Sequence, residues 1–188
     1  MVHRRIVLGC LWAAATVAWG HGVEVSLSTK TANLVGNVDL AETQYGYTRL
    51  NTRGFFNEQG DVVGSIGVAA RGMPAGKAPT FAIVGIRGYA GHLDDLDQDV
   101  MALSLGAGAG VTIPANMPVS ISGRADYAPD ITSFADASNL FEGDARLALE
   151  VMPGTSGFVG YRYLRVEMQG DNPELVEHRP HIGIRISF

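Results

Sequence analysis

Two short runs in this chain gather side chains that do chemistry. His92-Leu93-Asp94-Asp95-Leu96-Asp97-Gln98-Asp99 sets one imidazole among carboxylates. Asp95, Asp97 and Asp99 stand at alternate positions, a spacing with which oxygen ligands take a hard divalent cation. The glycine and distal glutamate of an EF-hand loop are missing, so the run reads first as a solvated acidic loop that binds divalent cations loosely. Glu177-His178-Arg179-Pro180-His181 offers an acid–base pair, and hydrolysis would need it to converge with the first run on one reacting point. No His–x–Ser pattern accompanies either run, which disfavours a Ser–His hydrolytic pair. Gly106, Gly108 and Gly110 imitate a phosphate-binding loop, but no helical pattern follows them. The remaining chemistry is charge. Arg49, Arg53, Arg71, Arg124, Arg146, Arg162 and Arg185, with Glu24, Asp39, Asp126 and Glu150, lie inside otherwise apolar segments.

The elements that must position these groups are strands. Ile182, Ile184, Ile186 and Phe188 alternate with Gly183, Arg185 and Ser187, giving one apolar and one polar face. The same period recurs in Val23–Leu27, Leu34–Leu40, Tyr45–Phe56, Val62–Gly72, Phe81–Tyr89, Val100–Ile113, Val119–Tyr127, Asp144–Val151 and Phe158–Met168. Ten strands result, or eight if the first two pack inside. Met73–Pro79, Pro114–Pro118 and Met152–Gly157 are short and rich in Pro or Gly. Gly91–Asp99, Ala128–Gly143 and Gln169–Pro180 are longer and acidic, and alternate with them. Helix signals are poor, with at most a turn within Asp130–Glu142.

Composition bounds the setting. His3-Arg4-Arg5, the apolar Ile6–Val17 and Ala18-Trp19-Gly20 have the three parts of a secretory signal, with cleavage expected after Gly20 or Gly22. Only three apolar residues separate Arg5 from Gly9-Cys10, too few for a lipoprotein signal. Cys10 is the only cysteine, so the mature chain, one domain from residue 21 to 188, has no disulfide or thiolate metal site. Cleavage removes Arg4 and Arg5 from the 14 basic residues, and the net charge moves from −5 to −7. An acidic chain is a poor partner for nucleic acid. Mean hydropathy is only +0.11, too low for membrane helices but normal for alternating strands that bury one face in lipid.

These strands predict an all-β, antiparallel up-and-down transmembrane β-barrel. Apolar positions face lipid, and charged ones face the lumen, since a charge at the bilayer midplane costs roughly 2–4 kcal/mol. Arg49, Arg53, Arg124, Asp126, Arg146, Glu150, Arg162 and Arg185 then form an ion-paired lumen network. The alternative is a basic constriction favouring small anions. Gly106, Gly108 and Gly110 make room for those long side chains. Tyrosines 45, 47, 89, 127, 161 and 163 and phenylalanines 55, 56, 81, 158 and 188 fall mostly near strand ends, where an interfacial girdle sits.

Gly183, Ile186 and Phe188 also resemble the C-terminal signal read by the outer-membrane insertion machinery. From Val23-Glu24-Val25-Ser26-Leu27 and Asn33-Leu34, through Val159-Gly160-Tyr161-Arg162-Tyr163, to Gly183-Ile184-Arg185-Ile186-Ser187-Phe188, the chain resembles the YfaZ precursor family of Gram-negative outer-membrane proteins. The resemblance implies an integral barrel in the outer membrane, without catalytic residues. Its expected role is structural, surface-interacting or narrow-channel and porin-like. Expected partners are outer-membrane lipid and lipopolysaccharide, periplasmic chaperones and the insertion machinery, with no cofactor. The competing reading is a surface enzyme, an omptin-like protease or lipid hydrolase, built on the acidic and histidine-bearing loops.

Overall fold

Alternating strands, punctuated by Gly, Pro, Asn and Asp, build one antiparallel sheet that closes on itself. The computed structural model describes residues 21–73, 79–94, 98–168 and 173–188. The signal segment 1–20, Asp95 and Asp97, and most of the Met73–Pro79 turn lie outside the described residues.

The strands are β1 (His21–Leu27), β2 (Thr31–Thr43), β3 (Gly46–Asn57), β4 (Val62–Gly72), β5 (Thr80–Leu93), β6 (Gln98–Ile113), β7 (Val119–Ala128), β8 (Ser133–Ala135), β9 (Ala137–Met152), β10 (Thr155–Met168) and β11 (Pro173–Ser187). All but β8 belong to the barrel wall. Each wall strand pairs with its chain neighbour, β7 with β9 across the insertion, and β1 with β11. The closing register runs from Gly22↔Ser187 to Leu27↔Ile182. Beyond it, His21 and Phe188 exchange two backbone hydrogen bonds of 2.8 Å. The wall therefore holds the ten expected strands, with both early ones in place rather than packed inside. β8 pairs with the end of β6 at Val100–Ala102. A single 3₁₀ turn, Asp130–Thr132, precedes it.

One end, called proximal here, carries His21, Phe188 and the connectors 44–45, 73–79, 114–118 and 153–154. The distal end carries 28–30, 58–61, 94–97, 129–136 and 169–172. Local chemistry sets the tight turns. Pro153 is followed by Gly154 at φ 76°, the sequence and torsion of a type II turn. At the distal end Asn57 receives the Asp61 amide on its Oδ1 at 2.9 Å, and Gly60 takes φ 100°.

The expected distal loops are shorter than the sequence suggested. β9 begins at Ala137 rather than Asp144, and β11 at Pro173 rather than Ile182. The added segments hide their period because neither face is uniformly apolar. Ser138, Asn139 and Glu142 are mixed with Leu140 and Phe141 in β9, and β11 has Glu177 and His181 inside and His178 outside, so alternation is lost at the distal ends of both strands. Phe55, Val63, Leu93, Val100, Leu140, Leu164, Val166, Met168 and Val176 form one buried cluster there. The barrel's hydrophobic core thus sits inside its distal half.

Outward positions are apolar from strand to strand. Val23 and Val25 on β1, Ile66 on β4, Val84 and Ile86 on β5, Leu103 and Leu105 on β6, and Leu147 and Leu149 on β9 all face out. Val159 on β10 and Ile182, Ile184 and Ile186 on β11 complete the ring, and Leu105 is 71% exposed.

Candidate functional site

Strand parity delivers charged side chains to the lumen just proximal to the apolar cluster. Glu142 of β9 is the hub, only 3% exposed. It receives a two-pronged grip from Arg53 of β3, with Nη2 to Oε2 at 2.7 Å and a second, shorter contact from Nη1. The Tyr89 hydroxyl donates to its Oε2 at 2.7 Å, and Arg87 Nη1 donates to the same oxygen at 3.3 Å. Planar guanidinium forks suit this geometry, which a lysine could not reproduce.

The network continues on both sides of the hub. Arg124 holds Asp126 with two bonds, Nε to Oδ2 at 2.8 Å and Nη2 to Oδ1 at 2.7 Å, and Arg87 reaches the same carboxylate at 3.5 Å. Arg162 lies 3.9 Å from Glu142 and 3.4 Å from Asp144. Arg146 bonds both Asp144 and Glu24, the latter at 2.6 Å, and Arg185 grips Glu24 at 2.7 and 3.0 Å. Six arginines thus share four carboxylates, leaving two formal positive charges in excess. Burial of this kind is tolerated only when each charge finds an opposite one. His181 edges onto the system, with its Nε2 3.7 Å from Asp144.

Glycines make the space, as the lumen parity implied. A Cβ at Gly106 would lie 2.1 Å from Asp126 Oδ1 and 2.9 Å from Arg124 Nη2. One at Gly160 would lie 2.8 Å from the His181 ring.

Six of the eight residues expected in the network are in it: Arg53, Arg124, Asp126, Arg146, Arg162 and Arg185. Arg49 faces the lumen but forms a separate proximal pair with Asp39, at 2.5 and 2.8 Å, and packs on the Tyr47 ring. Glu150 also stands apart, accepting the Gly154 amide at 3.2 Å in the proximal turn. Sequence reading missed Arg87, Asp144 and Glu142. Parity in Asp144–Val151 would have found Asp144. Glu142 was assigned to a loop, and Arg87 sits on a strand whose inward set, Phe81, Ile83 and Tyr89, is as apolar as its outward set.

The aromatic girdle needs the same correction. Tyr45, Phe56, Tyr127, Tyr161 and Phe188 are exposed, but Phe55, Phe81, Tyr89 and Phe158 are buried in the interior. Tyr47 also faces the lumen, where it bonds Arg71. Arginine is the reason for much of this. Arg146 lies over Phe158 at 4.9 Å and Arg71 over Phe81 at 3.5 Å, cation–π contacts that draw rings inward.

The loop candidates do not assemble into one site. His92 Nδ1 lies 2.9 Å from Asp99 Oδ1 at the exposed distal rim. On β11, Glu177 and His181 are buried while His178 is exposed. Glu177 and His178 are therefore split across the wall, because adjacent strand residues point oppositely, while Glu177 and His181 share the inner face. Among the described residues no group of three or more His, Cys, Asp or Glu could hold a metal ion; of the acidic triplet only Asp99 is described.

A membrane protein from work on in-meso crystallization aligns over 90% of this chain and 82% of its own, at 6% identity and a TM-score of 0.40. The transport unit of the autotransporter AIDA-I from Escherichia coli aligns over 89% of this chain and 87% of its own, at 10% identity and a TM-score of 0.40. No curated protein matches the chain. The YfaZ precursor family model matches residues 4–188, nearly the whole length, and the chain belongs to that family.

Proposed function

We propose that this protein is an integral barrel of the Gram-negative outer membrane whose lumen is closed, serving a structural or surface-interaction role rather than conducting solutes. The carrying observation is the inversion of polarity across one wall: isoleucine, leucine and valine outside, an ion-paired arginine–carboxylate network inside. Only a lipid surround makes that outer face favourable, and a closed barrel leaves no backbone edge unpaired. β2 to β7 and β9 to β11 are 10 to 16 residues long, against about 9–11 needed for a tilted span. With the C-terminus periplasmic, the distal connectors meet lipopolysaccharide and the outside. Insertion machinery and periplasmic chaperones are the partners such a route requires.

A porin-like anion path is the second reading, supported by the two excess positive charges in the lumen. The apolar cluster filling the distal half opposes it. Membrane fractionation and planar-bilayer recording separate these readings. The proposal expects the protein in the outer-membrane fraction, migrating faster unheated than boiled, with no steady conductance. Recovery as a soluble periplasmic protein refutes the membrane assignment, and stable anion-selective conductance refutes the closed lumen.

A further inference from the structure

Proximal to the network, the lumen opens into a cavity of ≈ 270 Å³. It runs from Glu142 and Asp126 down to Pro118 in the proximal connector, and seven arginines line it against five carboxylates. Six of those arginines are already engaged: Arg49 by Asp39, Arg53 by Glu142, Arg87 and Arg124 by Asp126, Arg146 and Arg185 by Glu24. Arg71 differs. Its Nη1 donates to the Tyr47 hydroxyl at 3.1 Å, its guanidinium lies 3.5 Å from the Phe81 ring centre, and no carboxylate among the described residues pairs with it.

That placement is built by the surrounding chain. A Cβ at Gly110 would stand 2.3 Å from Phe81 Cζ, so the ring occupies space that only glycine leaves. Tyr47 is flanked by Arg49 at 4.5 Å and Arg71 at 5.8 Å. Ring stacking and one hydroxyl hold the guanidinium in place, while a guanidinium carries five N–H donors in all. Ser120, Ser122 and Ser156 line the same cavity and add hydroxyls.

We propose that this cavity binds a small multivalent oxyanion, a phosphate or a small polycarboxylate, with its charged group seated on Arg71. A pre-oriented guanidinium fork favours such groups over halide or neutral solutes. The cavity's size suits an anion of a few heavy atoms rather than an oligosaccharide or peptide. Entry from the periplasm rests on the outer-membrane reading above, whereas the site itself needs only the closed barrel.

The test is calorimetric titration of the mature chain, refolded in detergent and verified by heat-modifiable migration. Inorganic phosphate and succinate are used separately, at low ionic strength. Saturable binding of at least one probe is expected, weakened about tenfold or more by Arg71→Gln. Arg165→Gln, on the outer face of β10, should bind as the unaltered protein does. Tyr47→Phe removes only the hydroxyl that orients Arg71 and should weaken binding severalfold, which keeps the test decisive if Arg71→Gln fails to fold. Absence of saturable binding by both probes, or unchanged affinity in Arg71→Gln or Tyr47→Phe, overturns the proposal. Fractionation away from the outer membrane with binding intact would defeat the membrane reading alone.

Discussion

Glu142→Gln is the sharpest perturbation of this barrel, because it keeps the size of the hub and removes its charge. The carboxylate now accepts from both prongs of Arg53, from Arg87 and from Tyr89. A glutamine amide presents one acceptor and turns an NH₂ donor toward guanidinium donors. Arg53 and Arg87, whose side chains are only 8% and 11% exposed, then lose their shared counter-charge. Arg87 keeps Asp126 at 3.5 Å, so the damage concentrates on Arg53. Summing charge-assisted bonds at about 1.5–3 kcal/mol each would overstate the loss. Water can enter from the proximal cavity, and bonds within one network are not additive. Breaking a buried pair costs about 3–5 kcal/mol, and that is the expected destabilisation. Urea unfolding in detergent, followed by far-UV circular dichroism, measures it; Trp12 and Trp19 both precede residue 21, so tryptophan fluorescence does not serve the mature chain. Replacing both partners, Glu142→Leu with Arg53→Met, should cost less than the sum of the singles by about 0.5–3 kcal/mol. Wild-type stability of Glu142→Gln, or strict additivity in the cycle, would refute the hub.

Further expectations follow from the same contacts. Phe188→Asp or deletion of Phe188 removes the exposed aromatic end of β11, and the deletion also removes the paired bonds to His21; outer-membrane yield should fall sharply on fractionation, with periplasmic accumulation. Gly110→Val places atoms against Phe81 and the Ile121 carbonyl and should cost about 1–3 kcal/mol in urea unfolding, whereas Gly157→Ala, with open space at its Cβ, should be neutral. Arg146→Ala leaves Glu24 to Arg185 and Asp144 to Arg162, lowering the unfolding midpoint without opening conductance in a planar bilayer. Leu140→Ala with Leu164→Ala thins the distal cluster and should raise conductance where Arg146→Ala does not.

Legibility in the sequence tracked the contrast between faces. Val23, Val25 and Leu27 against Glu24 and Ser26, or Ile182, Ile184 and Ile186 against Arg185, announce strand, period and inward face at once. Ten strands, antiparallel closure and the lumen positions of Arg124, Arg146 and Arg162 follow from that contrast alone. It vanishes where polar residues stand on both faces, as in β11 with Glu177 and His181 inside and His178 outside, or where a face is mixed, as with Ser138, Leu140 and Glu142 in β9. Those distal extensions read as loops, and Glu142 is lost with them. Partner choice was beyond sequence for another reason. Arg53 and Glu142 stand 89 positions apart and meet only because tilt and shear bring β3 opposite β9. Glu150, of the same parity as Asp144, lies farther along β9 and meets the proximal turn instead of the network.

The order of layers inside the barrel carries a physical argument of its own. Eight strands give an interior that side chains just fill, and sixteen leave a channel. A ten-strand wall must fill a wider section, and it does so by setting Arg124 against Gly106 and Gly108 and the His181 ring against Gly160. Charges of that density need either water or partners. Toward the proximal cavity they have both, and toward the distal end they meet Leu140, Leu164 and Phe55, which supply neither. Every carboxylate in the layer is accordingly gripped by at least one arginine, while Arg71, lower in the cavity, is left to aromatic rings and a hydroxyl. The apolar cluster therefore fills the distal lumen and also determines where charge must be neutralised internally and where a guanidinium is left to aromatic partners.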